Sequence, residues 1–512
     1  MGWGWCLSDE TDTHAVELDV LYADGIEQVI PCLTNRARDD VARAFQDNPL
    51  ASTAGFIFLS RLASTGGVQS ASLVISFADG TRERCLLTGF PERFSPDSIT
   101  TQSVFTRFRK IWHLARAGKI SYLIERLKGA IKRTSQRLRS TATSGQLPKA
   151  NVELMFDHQL GGGANKFRDE KIAQILRTGN EVVLITFELP RLLYRLEIHR
   201  SLGKHHETLE HLDAVQLRLA QTHYSTIHIN DFVSYPDPHA LLQLIKLIQK
   251  RDQSQIALYL HDYYFVCPSY TLINAEGRYC GIPDKETCRN CLKTNKEVFP
   301  SFEKTREIAP WRDAWDELLR AATSIVAFSE STVNIFLRAF PQNTWHEKIS
   351  IQPHLVDKSR YPKVRAPHAR PLKIAIIGNI SFAKGAKIVH DLVVLVAKEK
   401  LPIRIVVIGT LERLTISPVL TVTGAFENSS LPRLLEQHGI GVCLLPSICP
   451  ETFSYVTEEI MTMEMPLVCF DLGAPADRVK RYRLGEVAKK TSAQGALDAV
   501  MLLTGKLATA AQ

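Results

Sequence analysis

The 512-residue chain has no run of 18 or more apolar residues, so no membrane-spanning helix is expected. Its first residues, Met1-Gly-Trp-Gly-Trp-Cys-Leu-Ser-Asp-Glu10, have neither a basic start nor an apolar core, so they do not read as a secretory signal. No Gly-x-Gly-x-x-Gly dinucleotide fingerprint occurs, and no Asp-x-Asp pair that would hold a divalent ion. A cytoplasmic compartment is the resulting expectation. There the ten cysteines would be reduced or metal-bound rather than paired in disulfides.

Net positive charge is confined to one stretch. Residues 105–140 hold eleven Arg and Lys against one acid, a net +10; the whole chain carries +8, so the remainder sums to −2. That distribution argues against a general nucleic-acid surface, and no nucleic-acid partner is expected. Within the stretch, Phe105, Phe108, Trp112, Ile120, Leu123, Leu127 and Ile131 recur at helical spacing while cations fill the other face. A basic amphipathic helix with aromatic residues suits an anionic membrane surface, which would make the protein peripheral on the inner membrane. The other reading is a bridging helix with solvated charges. Ser140–Pro148 reads as a flexible linker.

The rest has the composition of an ordinary globular protein, 45% apolar and 23% charged, and is too long for one core. Residues 1–98 read as a small β-sandwich. Val16–Leu21 and Ser72–Phe77 alternate apolar and polar residues, Ala23-Asp-Gly and Ala78-Asp-Gly supply turns, and one helical piece spans Arg38–Phe45. Residues 99–148 are the basic helical segment. From 149 the pattern is α/β. Strands are expected at Val152–Phe156, Glu181–Phe187, Thr226–Ile229, Ile256–His261, Ser324–Phe328 and Ile349–Gln352, with helical patterns between them. A second series runs Ile374–Ile377, Ile405–Ile408, Leu420–Thr423, Val442–Leu445 and Leu467–Phe470. This predicts two Rossmann-like doubly wound domains, 149–365 (with a cysteine-rich insertion at 262–300) and 366–512, facing across a cleft.

The most informative stretch is Gly441–Met461: a buried strand, a turn over Pro446–Pro450, and a helix expected to start near Thr452. Glu451 and Glu459 are eight residues apart, about 800° around a helix, so they are expected on one face within about 80° of each other. A helix N-terminus binds anions through free N–H groups and its dipole. A carboxylate at its mouth suits hydroxyl groups carried beside a phosphate, the chemistry of a nucleotide sugar. The Gly161-Gly162-Gly163 loop, at the first strand-to-helix turn, lets backbone approach a ligand.

Several segments, in order, carry a family resemblance. Gly378-Asn379-Ile380-Ser381-Phe382-Ala383-Lys384-Gly385 is similar to a Gly-Arg-Leu-x-x-x-Lys-Gly loop; Pro446-Ser447 precedes Glu451; Ile351-Gln352-Pro353-His354 and Phe328-Ser329-Glu330-Ser331 fall at the domain junction. Together they resemble retaining GT-B glycosyltransferases of the family-4 type, over roughly residues 151–505. His261-Asp262-Tyr263, followed by the cysteine-rich insertion, resembles a bacterial surface-polysaccharide subgroup. Ala37-Arg-Asp-Asp-Val41 before Gly55-Phe56 resembles accessory β-domains of polysaccharide-synthesis proteins.

The resemblance implies a transfer from a UDP-, GDP- or dTDP-linked sugar to a glycan or lipid-linked acceptor, with retention of configuration. Glu451 would contact the donor sugar, and the backbone of Thr452, Phe453 and Ser454 the diphosphate. Glu459 would take the ribose, and Lys384 the charge on the leaving group. Gly378, Asn379, Gly162 and Gly163 would line the donor site, and His261 would reach the sugar or the departing group. His228 ends the preceding strand and is a further candidate. No metal is required for catalysis on this reading. Asn379 stands where the family has an arginine; Lys387 or Arg433 could replace its charge, or the chain is a catalytically inactive carbohydrate-binding or scaffold homologue. Cys267, Cys280, Cys288 and Cys291, spaced Cys-x12-Cys-x7-Cys-x2-Cys, suit a structural zinc site or remain as four reduced thiols.

Overall fold

The computed structural model describes residues 2–5, 13–36, 54–58, 68–77, 81–87, 151–189, 191–299, 307–367, 370–412 and 415–510. The basic segment 105–140, the linker after it and the expected helical piece at Arg38–Phe45 lie outside these residues. Among the described residues, no helix is long and apolar enough to cross a membrane.

The N-terminal part is β-rich. Its strands are β1 (Gly2–Trp5), β2 (Thr13–Tyr22), β3 (Glu27–Arg36), β4 (Gly55–Phe58), β5 (Val68–Phe77) and β6 (Arg82–Leu87). They pair antiparallel in the order β1-β4-β3-β2-β5-β6. Strand β3 pairs with β2 through its first half and with β4 through its second. The period-two pattern of β2 sends Val16, Leu18, Val20 and Tyr22 inward, where they meet Ile30, Ala71 and Ile75. The Ala23-Asp-Gly turn forms as its residues dictate: Gly25 takes φ +80°, and Gly25 N donates to Tyr22 O at 2.9 Å.

The second sheet holds β7 (Val152–Phe156), β8 (Glu181–Glu188), β9 (Leu193–Arg200), β10 (Gly203–Leu209), β11 (Tyr224–Ile229), β12 (Gln255–Tyr259), β13 (Ser324–Ala327) and β14 (Ile349–Ile351). Its order is β10-β9-β8-β7-β11-β12-β13-β14, parallel from β8 to β14. Helices connect the parallel strands. In one of them, Pro238–Asp252, the Asp237 side chain accepts from Ala240 N at 2.9 Å and Pro238 takes the first position, where no N–H is needed. Leu241, Leu242, Ile245 and Ile248 then fall on one buried face, each contributing about 1.5–3 kcal/mol. The antiparallel pair β9–β10 precedes the helix Leu212–Leu219 that, as expected, lies between the second and third expected strands. On β9, Tyr194, Leu196 and Ile198 are buried and alternate with polar residues, of which Arg195 pairs with Glu188 and Glu197 at 2.9 and 2.6 Å.

The third sheet holds β15 (Leu372–Ile380), β16 (Ile403–Leu411), β17 (Leu420–Val422), β18 (Val442–Leu445), β19 (Leu467–Phe470) and β20 (Gly485–Ala488). All pairings are parallel, in the order β17-β16-β15-β18-β19-β20. Every residue of β18 and β19 is buried, as central parallel strands require. Strand order reverses between β7 and β11 in the second sheet and between β15 and β18 in the third. Crevices at the carboxyl ends of such strands are where doubly wound sheets bind ligands.

Candidate functional site

At the reversal in the third sheet, two loops are locked together. Gly385, at φ +89°, lies against the Pro446 turn so closely that a Cβ there would sit 2.0 Å from Pro446 O. Ile448 N donates to Ala383 O at 3.0 Å. On the opposite side, a Cβ on Gly473 would sit 2.6 Å from both the N and the O of Glu451, and Ala474 N donates to Glu451 O at 2.8 Å. The backbone of Glu451 is therefore fixed from two sides, and the Ser447 hydroxyl donates to its Oε1. Lys384 is exposed in the facing loop, with no ion pair among the described residues. Asn379 is exposed at the end of β15, and its Oδ1 accepts the Thr410 hydroxyl at 2.7 Å.

The helix after this turn spans Tyr455–Thr462, three residues later than expected. Glu451 accordingly lies in the turn rather than on the helix, and the one-face geometry expected for Glu451 and Glu459 does not hold. The cause is the first domain. Thr452 Oγ1 donates to His261 O at 2.7 Å, Thr452 O accepts from Thr332 Oγ1 at 3.4 Å, and Phe453 is buried, so the segment is held extended up to Ser454. Ser454 is the N-cap but makes no side-chain cap bond, which leaves the first-turn N–H groups without that partner. Glu459, in the second turn, is only 3% exposed. Burial raises its pKa, against the Tyr361 hydroxyl, which donates to Oε1 at 2.8 Å, and the charge of Lys166.

The first domain presents its own reversal point to this turn. His261 lies just past β12 and stacks on Phe328 at 4.5 Å; Phe328 stacks on His354 at 3.9 Å; and His354 meets Phe453 edge-on at 4.7 Å and Tyr455 at 5.1 Å. The aromatic series thus crosses from one domain to the other. Burial, then the neighbouring His354 and His158, hold the His261 pKa well below its ordinary value; burial, then Arg478 and Lys166, bring His354 down to about 3. Both rings are neutral at neutral pH. Asn230 donates its amide to Ala164 O at 3.1 Å, so its Oδ1 faces His261 Nε2 at 3.0 Å. That bond places the His261 proton on Nε2 and leaves Nδ1 as the acceptor.

Beside His261, Asp157, His158, Asp231 and Asp262 form a polar cluster. His158 Nε2 faces Asp231 Oδ2 at 3.3 Å, Arg168 pairs with Asp157 at 3.1 Å, and Asn165 bridges Asp157 Oδ2 and Gly161 N. Burial, then the neighbouring Asp231, raise the Asp262 pKa well above the carboxylate range. The sequence reading gave no role to Asp157, His158 or Asp231, although they lie within two residues of the ends of β7 and β11 at the reversal point, and it named Asp262 only as part of the His261-Asp262-Tyr263 motif. It also passed over Tyr361, whose contact with Glu459 spans 98 residues of sequence.

His228 does not join the site. Its ring is buried, with Nδ1 on Tyr259 Oη at 3.0 Å and Nε2 on Glu153 at 2.6 Å, so both nitrogens are occupied inside the sheet. Gly161 and Gly162 take φ +82° and +83°, and a Cβ on Gly163 would lie 2.9 Å from the Tyr455 ring, so the glycine loop rests on the start of the donor-side helix. The four cysteines of the insertion were expected either to hold zinc or to remain reduced thiols. Among the described residues no three or more His, Cys, Asp or Glu side chains converge to hold a metal ion. Burial, with the neighbouring thiols, pushes Cys267 up to about 12 and also raises Cys280 and Cys288. Cys291 Sγ accepts from Asn295 Nδ2 at 3.6 Å instead. This arrangement favours four reduced thiols over a four-thiolate zinc site. Protein purified without chelator should carry well under one zinc per chain by elemental analysis; a full equivalent that is lost in Cys288→Ser would reverse this conclusion.

The arrangement is therefore a donor-side turn of fixed carboxylate and free cation, facing strand ends that carry a neutral histidine. Residues 371–504 match the family model described as Glycosyl transferases group 1. The glycosyltransferase match covers the whole third sheet and the turns bearing Asn379, Lys384, Glu451 and Glu459. With its two doubly wound domains, the α/β part of the chain has the GT-B architecture. No curated protein matches the chain. Solved structures similar to it include sucrose-phosphate synthase from Thermosynechococcus elongatus, at 12% identity over 69% of this chain and 90% of that one, with a TM-score of 0.47. HepE of Anabaena in complex with UDP-glucose matches at 14% identity over 70% and 89%, TM-score 0.44. The lipopolysaccharide outer core galactosyltransferase WaaB in its apo form matches at 12% identity over 70% and 90%, TM-score 0.44.

Proposed function

We propose that the chain transfers a sugar from a nucleotide-sugar donor to a glycan or lipid-linked acceptor in bacterial surface polysaccharide synthesis, with retention of configuration. The observation that carries this reading is the Glu451 turn, clamped between Gly385 and Gly473 at the strand reversal of the matched domain. In this reading Glu451 accepts hydrogen bonds from the donor sugar and Glu459, oriented by Tyr361, accepts from the ribose. The first-turn N–H groups and Lys384 meet the diphosphate. Lys384 stabilises the charge that grows on the leaving phosphate, which takes the proton of the attacking hydroxyl on the same face of the sugar. His261, with Nδ1 as its acceptor, lies on the acceptor side of the cleft and orients a hydroxyl there. Residues 105–140, outside the described structure, would hold the protein on an anionic membrane surface.

A panel of UDP-, GDP- and dTDP-sugars, screened by thermal unfolding, tests the reading. A ligand at 100 times its dissociation constant stabilises by about 2.7 kcal/mol. One donor should raise the melting temperature and be slowly hydrolysed, and Glu451→Ala should remove the hydrolysis. A wild type that binds a donor but neither hydrolyses it nor transfers from it to any glycan or lipid-linked acceptor would favour the inactive scaffold, the alternative that Asn379 raises.

A further inference from the structure

The donor loop lacks the arginine of its relatives, and neither cation named from the sequence is seen to replace it. Lys387 is drawn along its own helix to Asp391 at 2.6 Å, and Arg433 is exposed on the Leu431–His438 helix. Two other cations flank the turn. Arg478 lies 3.9 Å over the Phe453 ring, but its Nε is taken up by Glu458 at 3.2 Å. Lys166 comes from the first domain. Its Nζ sits 4.2 Å over the ring of Tyr455, the first residue of the Tyr455–Thr462 helix.

Four features converge on Lys166. It is exposed and makes no ion pair among the described residues. It follows the glycine loop, whose Gly163 touches the Tyr455 ring, so its backbone is set directly against the donor-side helix. Its charge acts on both Glu459 and His354, which places it among the groups that face the cleft. The Tyr455 hydroxyl beneath it is buried without a hydrogen-bond partner among the described residues. An exposed cation over a ring is weakly held, whereas an ammonium on a phosphate makes a charge-assisted hydrogen bond.

We propose that Lys166, reaching across the domain seam, is the second diphosphate-binding cation of the donor site and takes the part of the arginine that Asn379 replaces. The proposal rests on the nucleotide-sugar reading above. It makes the donor phosphates a bridge: the N–H groups and Lys384 hold them from the second domain, and Lys166 from the first. Donor binding then itself ties the two domains together.

Calorimetric titration of the full chain with UDP, GDP and dTDP, each beside its free nucleoside, tests this. Lys166→Ala should weaken the diphosphate that binds by about tenfold or more while leaving its nucleoside within about twofold. Lys166→Arg should retain binding, and Asn379→Arg in the Lys166→Ala background should restore most of what was lost. Diphosphate binding by Lys166→Ala equal to wild type overturns the proposal. So does a selective loss in Arg433→Ala instead, or an equal loss of diphosphate and nucleoside. If the wild type binds none of the three diphosphates, the donor-site reading fails and the proposal falls with it. Unchanged melting of Lys166→Ala guards against misfolding.

Discussion

Lys384→Ala is expected to slow sugar transfer by about 100- to 1000-fold while leaving the protein as stable as wild type. The two halves of this expectation have separate grounds. The side chain is exposed and has no ion pair among the described residues, and only its backbone N–H is engaged, with Ser381 Oγ at 3.4 Å. Surface changes of this kind stay within about 0.5 kcal/mol. The catalytic loss comes from the leaving group. A nucleoside diphosphate gains charge as the glycosidic bond breaks, and a fixed donor aimed at such charge is worth about 2.7–4 kcal/mol. Asn379 carries no charge, so less of that stabilisation can come from its side of the loop. Lys384→Arg should recover part of the rate, since charge is kept but the geometry of the donors changes. Turnover within about fivefold of wild type for Lys384→Ala would remove Lys384 from the chemistry.

Gly385→Ala should strongly destabilise the second domain. The backbone there has φ +89°, where an L side chain is strained by about 1–2 kcal/mol. The added carbon would meet Pro446 O at 2.0 Å, Pro446 C at 2.7 Å and Pro446 Cβ at 3.0 Å, so backbone must move. Overpacking adds about 1–3 kcal/mol, for a total of about 2–5 kcal/mol. The control is Gly179→Ala, with φ +83° and nothing within 4 Å of the new carbon. It should show the strain alone. Denaturant unfolding of both variants measures the difference, and similar losses in the two would contradict the clash. Activity of Gly385→Ala should fall as well, because Lys384 and the Glu451 turn are neighbours through this contact.

The central strands of the second and third sheets were readable because strands buried on both faces must be apolar throughout, as in Val442–Leu445. The loop bearing Lys384 was readable from its Gly378-to-Gly385 pattern, where Gly385 meets a close backbone approach, and the loop bearing Glu451 from Pro446-Ser447 after a buried strand. What escaped depends on partners far along the chain. The helix start moved to Tyr455 because Thr452 bonds His261, 191 residues away in sequence. His228 looked free at a strand end, yet Glu153 and Tyr259 occupy both its nitrogens. The hairpin β9–β10 was passed over although Tyr194, Leu196 and Ile198 alternate with Arg195, Glu197 and His199 in the period of a strand. Spacing along a loop-rich segment leaves the direction of each side chain open, so the four cysteines could be read either as a zinc site or as reduced thiols. Lys387 escaped for a simpler reason: its i+4 partner Asp391 was in plain view in the sequence.

The cysteine-rich insertion also sends one residue across the seam. Ile273, 1% exposed, belongs to the apolar core built by β15, β16 and β18. Its carbonyl accepts from both Ser269 Oγ and Asn295 Nδ2 at 2.8 Å, and a Cβ on nearby Gly277 would meet Phe382 at 3.1 Å. The part of the chain that matches the glycosyltransferase family model is therefore not portable. Excised at its boundary, it would expose an unfilled apolar seat beside the Lys384 loop, and a chimera that grafts it onto another acceptor domain must bring the Ile273 plug with it.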